Sequence, residues 1–259
     1  MATVTSKDGT KIAYDKLGSG LPLILVDGAL CSRDFGPMPK LAPIMAEHFT
    51  VYMYDRRGRN QSGDTPPYAP EREVEDLEAM INEAGGSAYV YGISSGAGLS
   101  IRAAAKGLNI TRLALYEPPF EVPDEKKPAP KDVLQQLQKR VAENRRGDTV
   151  KYFMKLVGVP PFGIFMMTLF PIWKKLKAVA HTLPYDIQIM DGFKMPEECA
   201  KSIKIPTLVS AGTKTSESIK RSAKMLSELI TGSKLKMLEG QTHNVSEKAM
   251  TPVLIEFFK

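Results

Sequence analysis

The sequence predicts an α/β fold in which a mostly parallel central sheet is flanked by helices and carries an inserted helical block. Three observations predict it. Apolar runs of strand length, Pro22 to Val26 and Phe49 to Tyr54, alternate with helix-like segments through residues 1–119. A β-branched and aromatic run, Ala88 to Tyr91, passes through Gly92-Ile93-Ser94-Ser95-Gly96 into a small-residue amphipathic segment, Gly98 to Gly107. From residue 120 to 203 the alternation lapses into proline-broken helical stretches, and it resumes at Pro206 to Ala211. Strands that are apolar on both faces need cover on both sides, which parallel strands with right-handed helical crossovers provide.

The elements follow in order. Thr3 to Ser6 and Lys11 to Lys16 read as a hairpin turned at Asp8-Gly9, at a sheet edge. Pro22 to Val26 is a buried strand ending at Asp27-Gly28, and Asp34 to Glu47 a helix interrupted by Pro39 and Pro43. After the strand Phe49 to Tyr54 comes a polar, turn-rich segment, Asp55 to Gly63. A helix over Glu71 to Ala84 carries its apolar side chains at Val74, Leu77 and Ile81. Leu113 to Tyr116 is a short strand stopped by Glu117-Pro118-Pro119. The block 120–203 reads as helices at Asp132 to Asn144, Val150 to Val157, Ile164 to Phe170, Trp173 to His181 and Asp186 to Met190. A helix at Glu217 to Ile230, a strand at Lys234 to Leu238 and a helix at Ser246 to Phe258 complete the chain. The expected division is therefore a core of 1–119 and 204–259 with an insertion of 120–203.

Bulk properties exclude several classes. With 259 residues and 43% hydrophobic content the chain can bury a large core. The net charge of +6 comes from lysines scattered among glutamates, as on a solvated surface, and no dense basic block argues for nucleic acid. Cys31 and Cys199 have neither metal-ligand nor disulfide spacing, so a reducing, cytoplasmic setting without metal or other cofactor is expected. The N-terminus has no apolar signal core, and prolines cut the apolar stretch Val157 to Trp173 well short of a spanning helix. No membrane partner is expected, and the assembly is expected to be a monomer or homodimer.

The chemistry is carried by Gly92-Ile93-Ser94-Ser95-Gly96. A serine hydroxyl is a weak nucleophile unless it is held clear of its neighbours beside a base, and a G-x-S-x-G turn between strand and helix does this. The elbow, the turn after Pro22 to Val26, the Tyr54-Asp55-Arg56-Arg57-Gly58 segment, the helical insertion and the late Thr242-His243-Asn244 together resemble the α/β-hydrolase superfamily over nearly the whole chain. The Tyr54 to Gly58 segment is similar to that of its cofactor-free esterases and perhydrolases.

The resemblance implies Ser94 as nucleophile, His243 as base, and an oxyanion hole from the amides of Ser95 and Ala29, with Leu30 a neighbour that could substitute. His48 and His181 are the less favoured histidines. Where the family often has His-Gly after the early strand this chain has Asp27-Gly28, and where it usually has an aspartate after the Pro206 to Ala211 strand this chain has Thr215. Some branches take their acid from the end of the preceding strand, which makes Glu117 the choice, with Glu217 and Asp186 in reserve. The insertion implies a lid, with Leu30, Phe120, Phe153, Phe162, Phe165, Met166, Trp173 and Tyr185 expected to bind substrate. The expected activity is cleavage of carboxylic esters, or lactones or thioesters, of small apolar compounds. A perhydrolase, a carbon–carbon bond hydrolase and a non-catalytic binding protein on the same scaffold are the alternatives.

Overall fold

A computed structural model of the chain describes residues 2–125 and 128–259, so Lys126 and Lys127 of the insertion lie outside the described residues. Eight strands form one sheet in the order β1-β2-β4-β3-β5-β6-β7-β8. They are β1 (Ala2–Thr5), β2 (Lys11–Leu17), β3 (Pro22–Val26), β4 (Thr50–Tyr54), β5 (Ala88–Ile93), β6 (Ile110–Tyr116), β7 (Thr207–Gly212) and β8 (Lys234–Leu238). Only the β1–β2 and β2–β4 pairs are antiparallel; every pairing from β4 to β8 is parallel.

Side-chain alternation on β3 shows why it must be central. Ile24 and Val26 enter one core cluster with Leu77, Met80 and Leu99, while Leu23 and Leu25 enter the opposite one with Met38, Leu41, Met250 and Phe258. The helices α1 (Met38–Met45) and α11 (Glu247–Phe258) cover the second face. The first face is covered by α2 (Pro70–Glu83), α3 (Ser95–Ala105) and α10 (Glu217–Leu229).

Among the described residues between β6 and β7 there is no strand, and the α-helices are α4 (Val133–Ala142), α5 (Arg146–Leu156), α6 (Pro161–Thr168), α7 (Ile172–Ala178), α8 (Leu183–Ile189) and α9 (Glu197–Ser202). They join the core on the α2 and α3 side. Several boundaries differ from the sequence reading, and two of the differences have a plain cause. Residues 34–36 are not helical, because Ser32 and Phe35 close a turn on each other with backbone bonds of 2.8 and 2.9 Å. The short helix α9 was not expected, since six residues hold too little periodicity to register.

Candidate active site

The elbow is built by steric exclusion. A Cβ on Gly92 would lie 2.5 Å from Ser100 Oγ and 2.6 Å from the Gly96 carbonyl oxygen, and one on Gly96 would lie 2.3 Å from the carbonyl oxygen of Val26. Only glycine lets α3 leave β5 this closely beside β3. Ser94 between them takes φ 56° and ψ −125°, a conformation non-glycine residues rarely occupy, and it is half-buried at the N-terminus of α3. Ser95, as the first residue of α3, has an amide with no partner inside the helix.

Against this elbow sits the β3 turn. A Cβ on Gly28 would approach Ser94 Cβ to 3.0 Å and Ser94 Oγ to 3.6 Å, so the backbone itself forms the wall beside the hydroxyl. Ala29 is half-buried there, and Leu30 follows, buried, with φ 64°.

Glu117, at the end of β6, is fully buried with φ 47°. Its Oε2 lies 2.7 Å from His243 Nδ1 and accepts the Thr215 hydroxyl at 3.1 Å, while Oε1 accepts the Gly212 amide at 2.9 Å. Thr215 stands where the resemblance leads one to expect an aspartate, and its hydroxyl donates to Glu117. The Tyr116 hydroxyl holds the histidine loop through the Thr242 carbonyl at 2.6 Å. His243 itself is half-exposed, at 49% of its side chain.

The reserve residues are placed elsewhere. Glu217 is 81% exposed and pairs with Lys220. His48 lies beside Lys259, and His181 lies 3.7 Å from Asp64, where burial draws its pKa down. Asp186 is fully buried on α8, bound to Arg56 at 2.9 Å and to Arg59 at 2.8 and 2.9 Å, and its Oδ1 accepts the Ser95 hydroxyl at 2.7 Å.

These arginines are the residues that sequence reasoning missed. The polar, turn-rich segment Asp55 to Gly63 buries Arg56, Arg57 and Arg59 to 1% exposure. Glu73 on α2 takes Arg56 in a fork of 2.7 and 2.9 Å, and Asp76, one turn on, takes Arg57 at 2.7 and 3.0 Å. Burial alone would pull Arg56 down, but Glu73 and Asp186 outweigh it and hold its guanidinium well above its ordinary pKa. A signal was available: Glu73, Asp76, Leu77 and Met80 recur at helical spacing, which puts both acids on the buried stripe of α2.

Asp27 shows the converse. Both neighbouring guanidiniums are already engaged, its Oδ1 has no hydrogen-bond partner, and burial pushes its carboxyl up to about 8 against the pull of Arg59 and Arg56.

Of the residues expected to bind substrate, Phe120 packs over Gly98 of α3, and Phe153 is buried in the insertion. Met166 is half-buried. Tyr185 stacks on Tyr68 at 3.8 Å and donates to Asp64 at 3.0 Å, joining the insertion to the core. Trp173 lines a solvent-open cleft of about 620 Å³ between α5 and α7, among Arg145, Arg146, Lys151, Lys174 and Lys177. Phe162 and Phe165 point to solvent, 73% and 58% exposed, while α6 buries Ile164.

Among the described residues no group of three or more His, Cys, Asp or Glu side chains could hold a metal ion, and no helix is long and apolar enough to cross a membrane.

A family model described as the alpha/beta hydrolase family matches residues 18–214. A solved structure of an alpha/beta hydrolase from Sphaerobacter thermophilus is 51% identical, with all of both chains covered and a TM-score of 0.94. A bromoperoxidase from Bacillus anthracis is 19% identical, with 99% of each chain covered and a TM-score of 0.77. An enol-lactonase from Burkholderia xenovorans is 20% identical, with 99% of each chain covered and a TM-score of 0.74. At 19% and 20% identity the last two bear on the fold alone. No curated protein matches the chain.

Proposed function

The chain belongs to the alpha/beta hydrolase family, and from that premise we propose that it is a serine hydrolase cleaving carboxylic esters, lactones or thioesters of small apolar compounds. One observation carries the reading: a buried carboxylate, Glu117, holds His243 by Nδ1 on the same sheet rim that presents Ser94 in a strained elbow. With Nδ1 engaged, Nε2 is the ring nitrogen left for proton transfer.

The steps follow from the groups. Ser94 Oγ adds to the substrate carbonyl carbon as its proton passes to His243 Nε2, and the Glu117 carboxylate stabilises the imidazolium that forms. The amides of Ser95 and Ala29 receive the oxyanion. When the tetrahedral adduct collapses, His243 returns the proton to the leaving oxygen or sulfur. Water, deprotonated by His243, then adds to the acyl group and releases the acid and Ser94. Elbow serine chemistry sets this apart from the family branches that attack through an aspartate.

Specificity is assigned to the insertion acting as a lid, together with Leu30 of the β3 turn and Phe120, which packs over Gly98 of α3. Two cysteines that form no disulfide support a cytoplasmic setting.

A fluorophosphonate probe tests the assignment. Rapid stoichiometric labelling, mapped to Ser94 and lost in Ser94→Ala, is the expected result. Absent labelling of folded protein contradicts it and favours a binding role on the same scaffold.

A further inference from the structure

We infer that Asp186 is a positioning residue which braces both halves of the oxyanion hole from the helical insertion; the inference rests on the hydrolase reading above. The elbow half is direct, since the Ser95 hydroxyl donates to Asp186 Oδ1 at 2.7 Å and also accepts from Arg56 Nη1 at 3.1 Å. The side chain of the residue whose amide meets the oxyanion is thereby clamped at both ends. The β3 half is reached through Arg59, whose Nη2 is chelated by both Asp186 oxygens while its Nη1 donates to the Gly28 carbonyl at 2.5 Å.

The geometry of the peptide unit turns that last bond into an aiming device. In a planar trans peptide the carbonyl of Gly28 and the N–H of Ala29 point in opposite directions. Fixing the Gly28 oxygen toward Arg59 therefore fixes the Ala29 N–H away from it, on the opposite side of that peptide. Arg56 Nη1 donates to the preceding carbonyl, of Asp27, at 3.2 Å and so restrains the Asp27–Gly28 peptide as well. Gly28 cannot resist reorientation by steric means, having no side chain, so the restraint has to come from the carbonyl's partner.

Burial gives the brace its stiffness. Arg56 and Arg59 are 1% exposed and Asp186 is fully buried, so neither water nor salt competes for these bonds. Asp186 comes from α8, within the insertion that is expected to act as the lid. Preorganised donors stabilise a transition state because they need no reorientation as charge develops, and looseness in either amide removes part of that benefit.

The test compares an aryl carboxylic ester with its matched thionoester on wild type, Ser95→Ala and Asp186→Asn. In a thionoester the developing charge lies on sulfur, a poor hydrogen-bond acceptor, so the oxyanion amides contribute little to its turnover. Both rates are read on one preparation, and their ratio does not depend on the fraction of protein folded. Wild type should favour the oxygen ester strongly. Ser95→Ala, which keeps the amide and removes only the clamp, should shrink that preference about tenfold, and Asp186→Asn about a hundredfold, on the scale of losing one oxyanion donor. The loss should fall on kcat with KM changed less than about twofold. An unchanged ratio in both variants, with turnover and melting temperature falling together, overturns the positioning role and leaves the hydrolase reading intact. A wild type with neither ester turnover nor fluorophosphonate labelling overturns both.

Discussion

Two helices of the insertion, α6 and α8, treat their side chains in opposite ways. The α8 helix carries a carboxylate and buries it completely, against two arginines and a serine of the core. The α6 helix carries Phe162 and Phe165, with Leu169 just beyond it, at the i, i+3, i+7 spacing of one helical stripe, and exposes all three. Polarity alone would have placed them the other way round. What decides is partners: a buried charge is tolerated where it is fully hydrogen-bonded, whereas apolar side chains on α6 face out because Ile164 already occupies its contact with the core.

The sharpest way to break this contrast is to empty the α8 side. Asp186→Ala leaves Arg59 with backbone acceptors only and Arg56 with Glu73, and should cost about 3–5 kcal/mol by urea unfolding. A loss below about 1 kcal/mol, the range of an exposed pair, would show the network to be wet.

A second effect lies in the same buried region. Unfolded, the Asp27 carboxyl ionises near 3.8; folded, burial holds it up to about 8. Between those values the native state keeps a proton that the unfolded state has released, so this group's contribution is full below the lower value and is lost as pH rises through the higher. Urea unfolding across that window should show stability falling with pH in wild type and a flatter profile in Asp27→Asn. Equal slopes would place Asp27 in contact with water.

The smallest effect belongs to α6. Phe165→Ser should change stability by no more than about 0.5 kcal/mol and leave ester kcat/KM within about twofold, because its side chain is 58% exposed. A tenfold loss in kcat/KM would return Phe165 to the substrate path.

The same contrast explains what was legible in advance. The sheet was readable because β3, β5 and β7 are short runs buried almost throughout, the mark of central parallel strands, and the elbow because Gly92 and Gly96 admit no side chain. Glu117 is singled out through the resemblance, some of whose branches place the acid after this strand, and not through any local pattern. The orientation of α6 could not be read, since a 3–4 spacing gives a stripe but not its direction. The buried arginines escaped because their partners stand up to 130 residues away in sequence, as Asp186 does from Arg56. Local pattern sees a charged turn, and the packing of α2 and α8 over it makes it an interior.

The central claim is that Ser94 works through a histidine oriented by Glu117, and the direct measurement is kcat for a chromogenic ester in Glu117→Gln beside Glu217→Gln. Loss of the anion behind His243 should lower kcat on the order of a thousandfold, while the exposed Glu217 should leave it unchanged. A full-rate Glu117→Gln enzyme, or a collapse confined to Glu217→Gln, would contradict the account.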